Sequence, residues 1–238
     1  MQVQTVAKST PRIDFAALTL CRGLGQQATS RIATISTIQS VSASQVVFYE
    51  GDEADSIYEV VRGTLKIYKL LPDGRRQITG FLSEGHLLGL SLDGTYTYSA
   101  EAMTDLVLCR YPRSHFDRIV SEMPGLAQRL LTATSDELRA AQDQMLLLGR
   151  KSAEEKIASF LLMLARSHSL GDEENVLEIP MGRDDIADYL GLSIETVSRT
   201  LTKLKRAGII ALPMSSRVVL QDRGRLEELA GGEFAESL

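Results

Sequence analysis

The 238-residue sequence predicts an α+β protein with an N-terminal β-rich unit, a long helix, and a C-terminal helix-turn-helix that carries a wing. Three patterns lead to this prediction: short apolar runs between glycine turns over 46–111, heptad spacing over 124–149, and helix and hairpin cues over 181–220. The predicted boundaries are a flexible segment at 1–30, the β-unit at 31–122, the long helix at 123–149 and the helix-turn-helix domain at 150–238.

The β-unit is predicted from short apolar runs that glycines and turns separate. The clearest signal is Asp73-Gly74, which lies between the apolar runs 65–70 and 78–82. An Asp-Gly pair in that setting predicts a β-hairpin, because both residues tolerate the backbone angles of a tight turn. Several such strands at spacings of about ten residues are typical of an all-β sandwich or barrel.

The long helix is predicted to begin near Pro124, since proline suits the first helical turn. Its apolar and small side chains recur at alternating spacings of four and three over about three heptads, which is typical of a coiled-coil seam. The seam residues are Ala127, Leu131, Thr134, Leu138, Ala141, Met145 and Leu148. This face either packs on the β-unit of its own chain or pairs with a second copy. We expect a homodimer, with Leu131, Leu138, Met145 and Leu148 at the interface.

Local cues predict the helix-turn-helix. Asp184 and Asp185 suit the first turn of one helix, because carboxylates are favoured at the positive end of the helix dipole. Gly191 ends that helix, and Ser193 caps the next one by accepting a backbone N–H. Apolar side chains from Ile194 to Leu204 recur at spacings of three and four and predict one buried face. Two short strands at 209–210 and 218–220 then predict the wing.

The second helix presents chemistry that binds base edges in a DNA major groove. Glu195 offers an acceptor, Ser198 a hydroxyl and Arg199 a guanidinium. A Glu and an Arg four residues apart are often only a solvated ion pair. The local charge favours the DNA interpretation, since residues 196–225 carry seven Lys and Arg against one Asp, a charge of +6 in a chain of net charge −5. The predicted DNA contacts are Ser193, Glu195, Thr196, Ser198, Arg199, Thr200, Lys203 and Arg217, on palindromic double-stranded DNA.

The order of parts resembles the Crp/Fnr superfamily of bacterial transcription regulators, and residues 142–148 with 153–158 resemble its Fnr and FixK branch. The most specific stretches are 49–52, 60–63, 73–78 and 194–201, and the resemblance extends from about Ile32 to Leu220. It implies a β-roll of the cyclic-nucleotide-binding type, a dimerisation helix and a winged helix. It also implies TTGA-type half-sites read by Glu195, Ser198 and Arg199. Activation and a contact with RNA polymerase, through surfaces such as 93–96 and the 167–175 loop, are implied by the same analogy.

The sequence departs from the cyclic-nucleotide binders of that superfamily. Relatives hold the ribose with Gly-Glu and the cyclic phosphate with Arg-Ser or Arg-Thr, where this chain has Gly89-Leu90 and Tyr98-Ser99. Leucine cannot accept a hydrogen bond from a ribose hydroxyl, and tyrosine brings no charge to a buried phosphate. We therefore expect that cyclic nucleotides do not bind.

Other cofactors and enzymatic activity are not expected either. A four-cysteine iron–sulfur cluster cannot form from Cys21 and Cys109 alone, and His86, His115 and His168 have no haem motif around them. No nucleophile–base set, metal-ligand spacing or phosphate loop points to an enzyme. No cofactor, metal or catalytic residue is therefore predicted.

Two alternatives stay open. One is a regulator of the same fold gated by another ligand, a haem-borne gas or a thiol, for which Cys21 in a mobile segment is a better candidate than Cys109 on a buried strand. The other is a cyclic-nucleotide-type regulatory module that does not bind DNA. Since no apolar run approaches the roughly twenty residues of a membrane span, we expect a cytoplasmic protein with no membrane partner.

Overall fold

The computed structural model describes residues 13–167 and 175–231, and its chain contacts divide into two compact units. Unit 1 comprises the residues up to 65 together with 82–135, and unit 2 comprises 66–81 together with the residues from 136 onwards. In chain order the elements are a 3₁₀ turn (Phe15–Ala17), α1 (Gln26–Ile35), β1 (Thr37–Val41), β2 (Val46–Phe48), β3 (Ser56–Arg62), β4 (Leu65–Leu70), β5 (Arg76–Leu82), β6 (Leu87–Leu88), β7 (Ser99–Ala102), β8 (Leu106–Pro112), α2 (Arg113–Glu122), α3 (Pro124–Arg150), α4 (Ala153–Ser167), β9 (Val176–Glu178), α5 (Arg183–Leu190), α6 (Ile194–Arg206), β10 (Ile210–Met214), β11 (Arg217–Leu220) and α7 (Arg223–Leu229).

Unit 1 contains an antiparallel sheet in the order β1-β8-β3-β6, and β2 pairs antiparallel with β7. The register of β3 on β8 places Ile57 opposite Tyr111, and that of β1 places Ile38 opposite Cys109. One face of this sheet packs on α1, α2 and the N-terminal segment in a core that includes Ile32, Ile57, Tyr111, Phe116 and Leu126. The predicted β-roll is confirmed.

The N-terminal segment differs from the expectation of a flexible stretch through residue 30. Leu18, Leu20 and Cys21 are buried in the core of unit 1. The carboxylate of Glu59 on β3 accepts hydrogen bonds from the backbone N–H of Thr19, from that of Leu20 at 3.5 Å and from the hydroxyl of Tyr111 at 3.3 Å. Burial raises the pKa of Glu59. A strand residue forty positions away thus fixes this segment, which local sequence patterns do not reveal.

Both cysteines are buried, which corrects the expectation that Cys21 is an accessible thiol. Cys21 is 1 % exposed and Cys109 0 % exposed. Burial, with the nearby charge of Glu59, raises the pKa of Cys21 to about 11. Because the thiolate is the reactive form, Cys21 is poorly suited to sense oxidants at neutral pH.

Unit 2 combines the β4–β5 hairpin with the C-terminal part of the chain. The Asp73-Gly74 turn is present as predicted, with Gly74 at φ 84° and its N–H bonded to Leu71 O. The wing strands β10 and β11 also form as predicted, and β9, which the sequence did not indicate, completes a sheet in the order β10-β11-β9.

The C-terminal part of the described chain is helical and partly buried. At the C-terminal end of the described residues, α7 extends to Leu229, and Leu226 and Ala230 are buried. Most of the predicted 167–175 loop and residues 1–12 and 232–238 lie outside the described residues. Within residues 13–167 and 175–231, no helix is both long and apolar enough to cross a membrane.

Candidate nucleic-acid interface

The first turn of α6 is capped as the sequence predicts. Ser193 has an extended backbone, and its Oγ accepts a hydrogen bond from the backbone N–H of Thr196 at 3.2 Å. The Thr196 hydroxyl lies 3.0 Å from the same Oγ. This pair satisfies one of the orphan N–H groups of the helix, so it fixes where α6 begins and which side chains its first turns expose.

Periodicity divides α6 into a buried and an exposed face. Val197, Leu201 and Leu204 are at most 2 % exposed and anchor the helix in unit 2. Ile194 was expected on the buried face but is 48 % exposed. The exposed polar side chains are Glu195, Ser198, Arg199, Thr202, Lys203, Lys205 and Arg206. Five of these seven line one open depression: Ser198, Arg199, Thr202, Lys203 and Arg206. The structure thus brings Ser198, Arg199 and Lys203 together on an accessible surface.

Thr200 is a correction to the predicted contacts. It is 7 % exposed, and it follows Val197 by three residues, which puts it on the packed face of α6. A buried hydroxyl cannot reach a base edge or a phosphate. The helical spacing of the neighbouring apolar residues could have excluded it from the sequence alone.

The charges of this face have local partners. The backbone N–H of Glu195 itself and the hydroxyl of Ser193 donate to the Glu195 carboxylate, and these hydrogen bonds hold its pKa below the usual range. Lys203 forms an ion pair with Glu154 of α4. Glu195 is therefore an ionised acceptor at neutral pH, and Lys203 is a cation whose charge is partly balanced.

Arg217 lies on the wing and not on α6. It is the first residue of β11, opposite Glu178 of β9, and its Nε lies 3.4 Å from the Glu178 carboxylate. The predicted position near the tip of the hairpin is correct, since only Ser215 and Ser216 separate it from Met214, its partner on β10.

The turn between α5 and α6 is held by donors from three other segments. The N–H groups of Gly191 and Leu192 bond to Ala187 O, with Gly191 at φ 61°. Side-chain donors reach the next three carbonyls: Gln77 to Asp188 O at 2.6 Å, Gln144 to Tyr189 O at 2.7 Å and Lys156 to Leu190 O at 3.1 Å. All four terminal carbonyls of α5 are satisfied, and the charge of Lys156 also suits the negative end of the helix.

The acidic residues of α5 have a role that the sequence analysis missed. Asp185 is buried, and its Oδ1 accepts from Lys66 Nζ at 2.9 Å and from Arg76 Nη2 at 2.8 Å. Arg76 Nε also bonds to Asp188 Oδ2 at 2.9 Å. In the sequence, the one hint of this role was Lys66 among the apolar residues of β4. Its partner Asp185 lies more than one hundred positions away, so local patterns could not identify the pair.

Aromatic rings lie inside the β-roll beside Gly89 and Tyr98, two residues that the resemblance matched to nucleotide-binding positions. The rings of Phe48 and Tyr96 stack with centroids 3.8 Å apart, and Tyr98 lies 5.8 Å from Phe48. The hydroxyl of Tyr98 accepts from the N–H of Gly89 at 3.1 Å, and that of Tyr96 donates to Ser56 O at 2.9 Å. A hydrogen bond thus joins Tyr98 to the backbone of Gly89, the residue before Leu90.

The predicted seam of α3 presents large apolar side chains to the surface of the chain. Leu131, Leu138 and Met145 are 63 %, 60 % and 71 % exposed. Leu148 differs, because it is half-buried and lies against Gly191 of the turn after α5. Three of the four predicted interface residues are therefore available to a partner, and the fourth contacts its own helix-turn-helix.

Two family models match this chain. Residues 38–123 match the cyclic nucleotide-binding domain, and residues 155–229 match the Crp-like helix-turn-helix domain. Together they cover most of the chain, in the order that the fold shows.

Several curated proteins are similar over most of their length. The nitrogen fixation regulation protein FixK of Bradyrhizobium diazoefficiens is 46% identical over 190 residues, which covers 79% of this chain and 80% of that protein. The transcriptional activatory protein AadR of Rhodopseudomonas palustris is 41% identical over 90% of this chain and 89% of its own. The transcriptional activator protein FnrL of Cereibacter sphaeroides is 38% identical over 90% of this chain and 88% of its own.

A solved structure supports the same assignment. The structure of FixK2 from Bradyrhizobium japonicum superposes with a TM-score of 0.77 at 38% identity, covering 82% of this chain and 97% of that one.

Proposed function

This chain belongs to the Crp/Fnr family of DNA-binding transcription regulators, in the branch of FixK and Fnr, and we propose that it reads TTGA-type palindromes as a homodimer. The relatives are transcription regulators and not enzymes. The observation that carries the proposal is the exposure of Glu195, Ser198 and Arg199 on the first turns of a capped helix.

The chemistry of these three side chains fits a TTGA-type half-site. Arg199 can donate two parallel hydrogen bonds to O6 and N7 of a guanine in the major groove. Glu195, ionised at neutral pH, can accept from the exocyclic amino group of cytosine or adenine. Ser198 lies beside Arg199 and tunes the neighbouring position. Two cations, Lys203 and Arg217, contact phosphates, and the cap residues Ser193 and Thr196 orient α6. These contacts carry no base specificity.

A second copy of the chain is the occupant that we propose for the exposed seam of α3. Leu131, Leu138 and Met145 repeat at intervals of seven, which is the spacing that pairs two parallel helices. A twofold dimer presents two recognition helices about 34 Å apart, one turn of B-DNA, and so matches a palindrome. Since AadR and FnrL are described as activators, we propose that this regulator activates transcription through contact with RNA polymerase.

In vitro selection from a random duplex pool tests the proposed site. The enriched sequences are expected to contain two TTGA-type half-sites in inverted orientation. A matched control duplex, in which about five base pairs are inserted between the half-sites, places them on opposite faces of the helix and abolishes tight binding. Enrichment of a single asymmetric motif, or of none, would contradict the proposal.

We also propose that DNA binding needs no cyclic nucleotide. The proposal is supported by the residues that the resemblance matches to the ribose and phosphate ligands, since Leu90 and Tyr98 carry no charge. The Tyr98 hydroxyl already accepts from the N–H of Gly89, and the ring of Tyr98 lies beside that of Phe48, which stacks on Tyr96. A ligand can shift a conformational equilibrium only by its difference in affinity for the two states. The burial of both cysteines likewise disfavours thiol gating.

Cyclic AMP is expected to change the affinity of the protein for its palindrome by less than about twofold. The measurement is a titration of ligand-free protein onto the selected duplex, with and without the nucleotide. A known cyclic-AMP-dependent member of the family serves as the positive control. A gain of roughly tenfold or more with the nucleotide would restore the ligand-gated alternative.

A further inference from the structure

Charged and polar residues of the β4–β5 hairpin bind the first helix of the helix-turn-helix, α5. We call this group the hairpin clamp: Lys66, Arg76 and Gln77 on the hairpin, and Asp185 and Asp188 on α5. Lys66 and Arg76 both donate to Asp185, and Arg76 bridges to Asp188 one turn further along the helix. Gln77 donates to the backbone of that same turn. The hairpin therefore contacts α5 at its start and at its end.

Burial makes these contacts specific. The side chains of Lys66 and Asp185 are only 8% and 10% exposed. A buried charge that loses its partner is strongly destabilising, so the arrangement tolerates little displacement of α5 relative to the hairpin. The Arg76 guanidinium lies 5.7 Å from the ring centre of Tyr68 on β4, which further restricts its orientation.

An aromatic cluster near the end of β5 supports the clamp. Phe81 of β5 lies 5.0 Å from Tyr189 of α5 and 6.2 Å from Phe160 of α4, between ring centres. Apolar contacts of this kind stabilise the packing of α5 on the hairpin but are not directional. The ion pairs are directional and therefore fix one position of α5 along the hairpin. The ion pairs and the aromatic contacts together hold α5 in one place.

We propose that Lys66, Arg76 and Gln77 are positioning residues for DNA recognition. The clamp fixes α5. The short turn from Gly191 to Ser193, which follows the fully hydrogen-bonded end of α5, then fixes the position of α6 relative to α5. This arrangement supplies from within the chain the restraint on the recognition helix that ligand-gated regulators obtain from an effector. The inference rests on the proposed function, because it concerns the same DNA-reading surface.

A double-mutant cycle on Arg76 and Asp188 tests the clamp. Arg76→Ala and Asp188→Ala are each expected to weaken binding to the selected palindrome by about tenfold. Both variants lose the Arg76–Asp188 ion pair, and Arg76→Ala also loses the pair with Asp185, so the double variant is expected to be no weaker than Arg76→Ala. Binding to random-sequence duplex at low salt, which depends on phosphate contacts, should not change. Arg75→Ala is the matched control, since exposed Arg75 pairs with Asp73 in the hairpin turn.

The readouts separate positioning from simple stability. Thermal midpoints and sedimentation are measured on every variant. A fall of specific and random-sequence binding together, in step with a lowered thermal midpoint, would show a merely structural role and overturn the inference. If the wild-type protein bound the palindrome and the clamp variants bound it equally well, only the proposed role of the clamp would be wrong. If the wild-type protein bound the palindrome no better than random duplex, the proposed function itself would be wrong, and the clamp would fall with it.

Discussion

Leu138→Asp is expected to convert the protein into monomers at micromolar concentration and to abolish tight binding to the palindrome. Leu138 lies at the centre of the α3 seam, with exposed Leu131 and Met145 one heptad to either side. In a twofold dimer the two copies of residue 138 face each other, so the substitution buries two carboxylates against one another without a cation. The lost burial of two leucines adds about 3–6 kcal/mol per dimer. Sedimentation at several protein concentrations measures the effect directly.

Ala140→Asp is the matched control for this experiment. It introduces the same charge two residues further along α3, at an exposed position off the seam. This variant should remain dimeric and bind DNA as the wild type does. If Leu138→Asp sediments as a dimer, the interface lies elsewhere, and the exposed leucines of α3 need another partner.

The elements that were predicted correctly are those that local sequence determines. The start of α3 at Pro124, the cap of α6 at Ser193 and the turn at Gly74 each depend on one residue whose backbone or side chain suits that position. The buried face of α6 from Val197 to Leu204 follows from a spacing of three and four, although Ile194 at the start of the same pattern is exposed. These signals act over one or two turns of chain, so they can be recognised without the tertiary structure.

The elements that were missed depend on partners far along the chain. Asp185 was interpreted through the helix dipole, but its buried contacts are with Lys66 and Arg76, more than one hundred residues away. Glu59 holds Thr19 and Leu20 in the same way, so the N-terminal segment packs where flexibility was expected. A sequence pattern shows that a charge is present but not which distant group will bury it.

Arg199→Ala is expected to weaken binding to each half-site by about 1–3 kcal/mol and to relax the preference at one guanine. Arg199 is exposed on the second turn of α6, beside Ser198 and one turn after the ionised acceptor Glu195. Alanine removes both donors to the guanine O6 and N7 and leaves the buried face of the helix intact. Repeating the DNA selection with the variant measures affinity and base preference together.

Arg206→Ala separates base reading from simple attraction to phosphate. Arg206 lies seven residues after Arg199, two turns along the same face, and lines the same depression. Its loss should weaken binding to all DNA sequences alike and reduce the salt dependence of binding by about one phosphate contact. The selected motif should be retained. Because the two substitutions remove the same charge from the same helix, only a contact with a base edge can make their selected motifs differ. An unchanged motif with Arg199→Ala would remove Arg199 from the readout and leave it among the phosphate contacts.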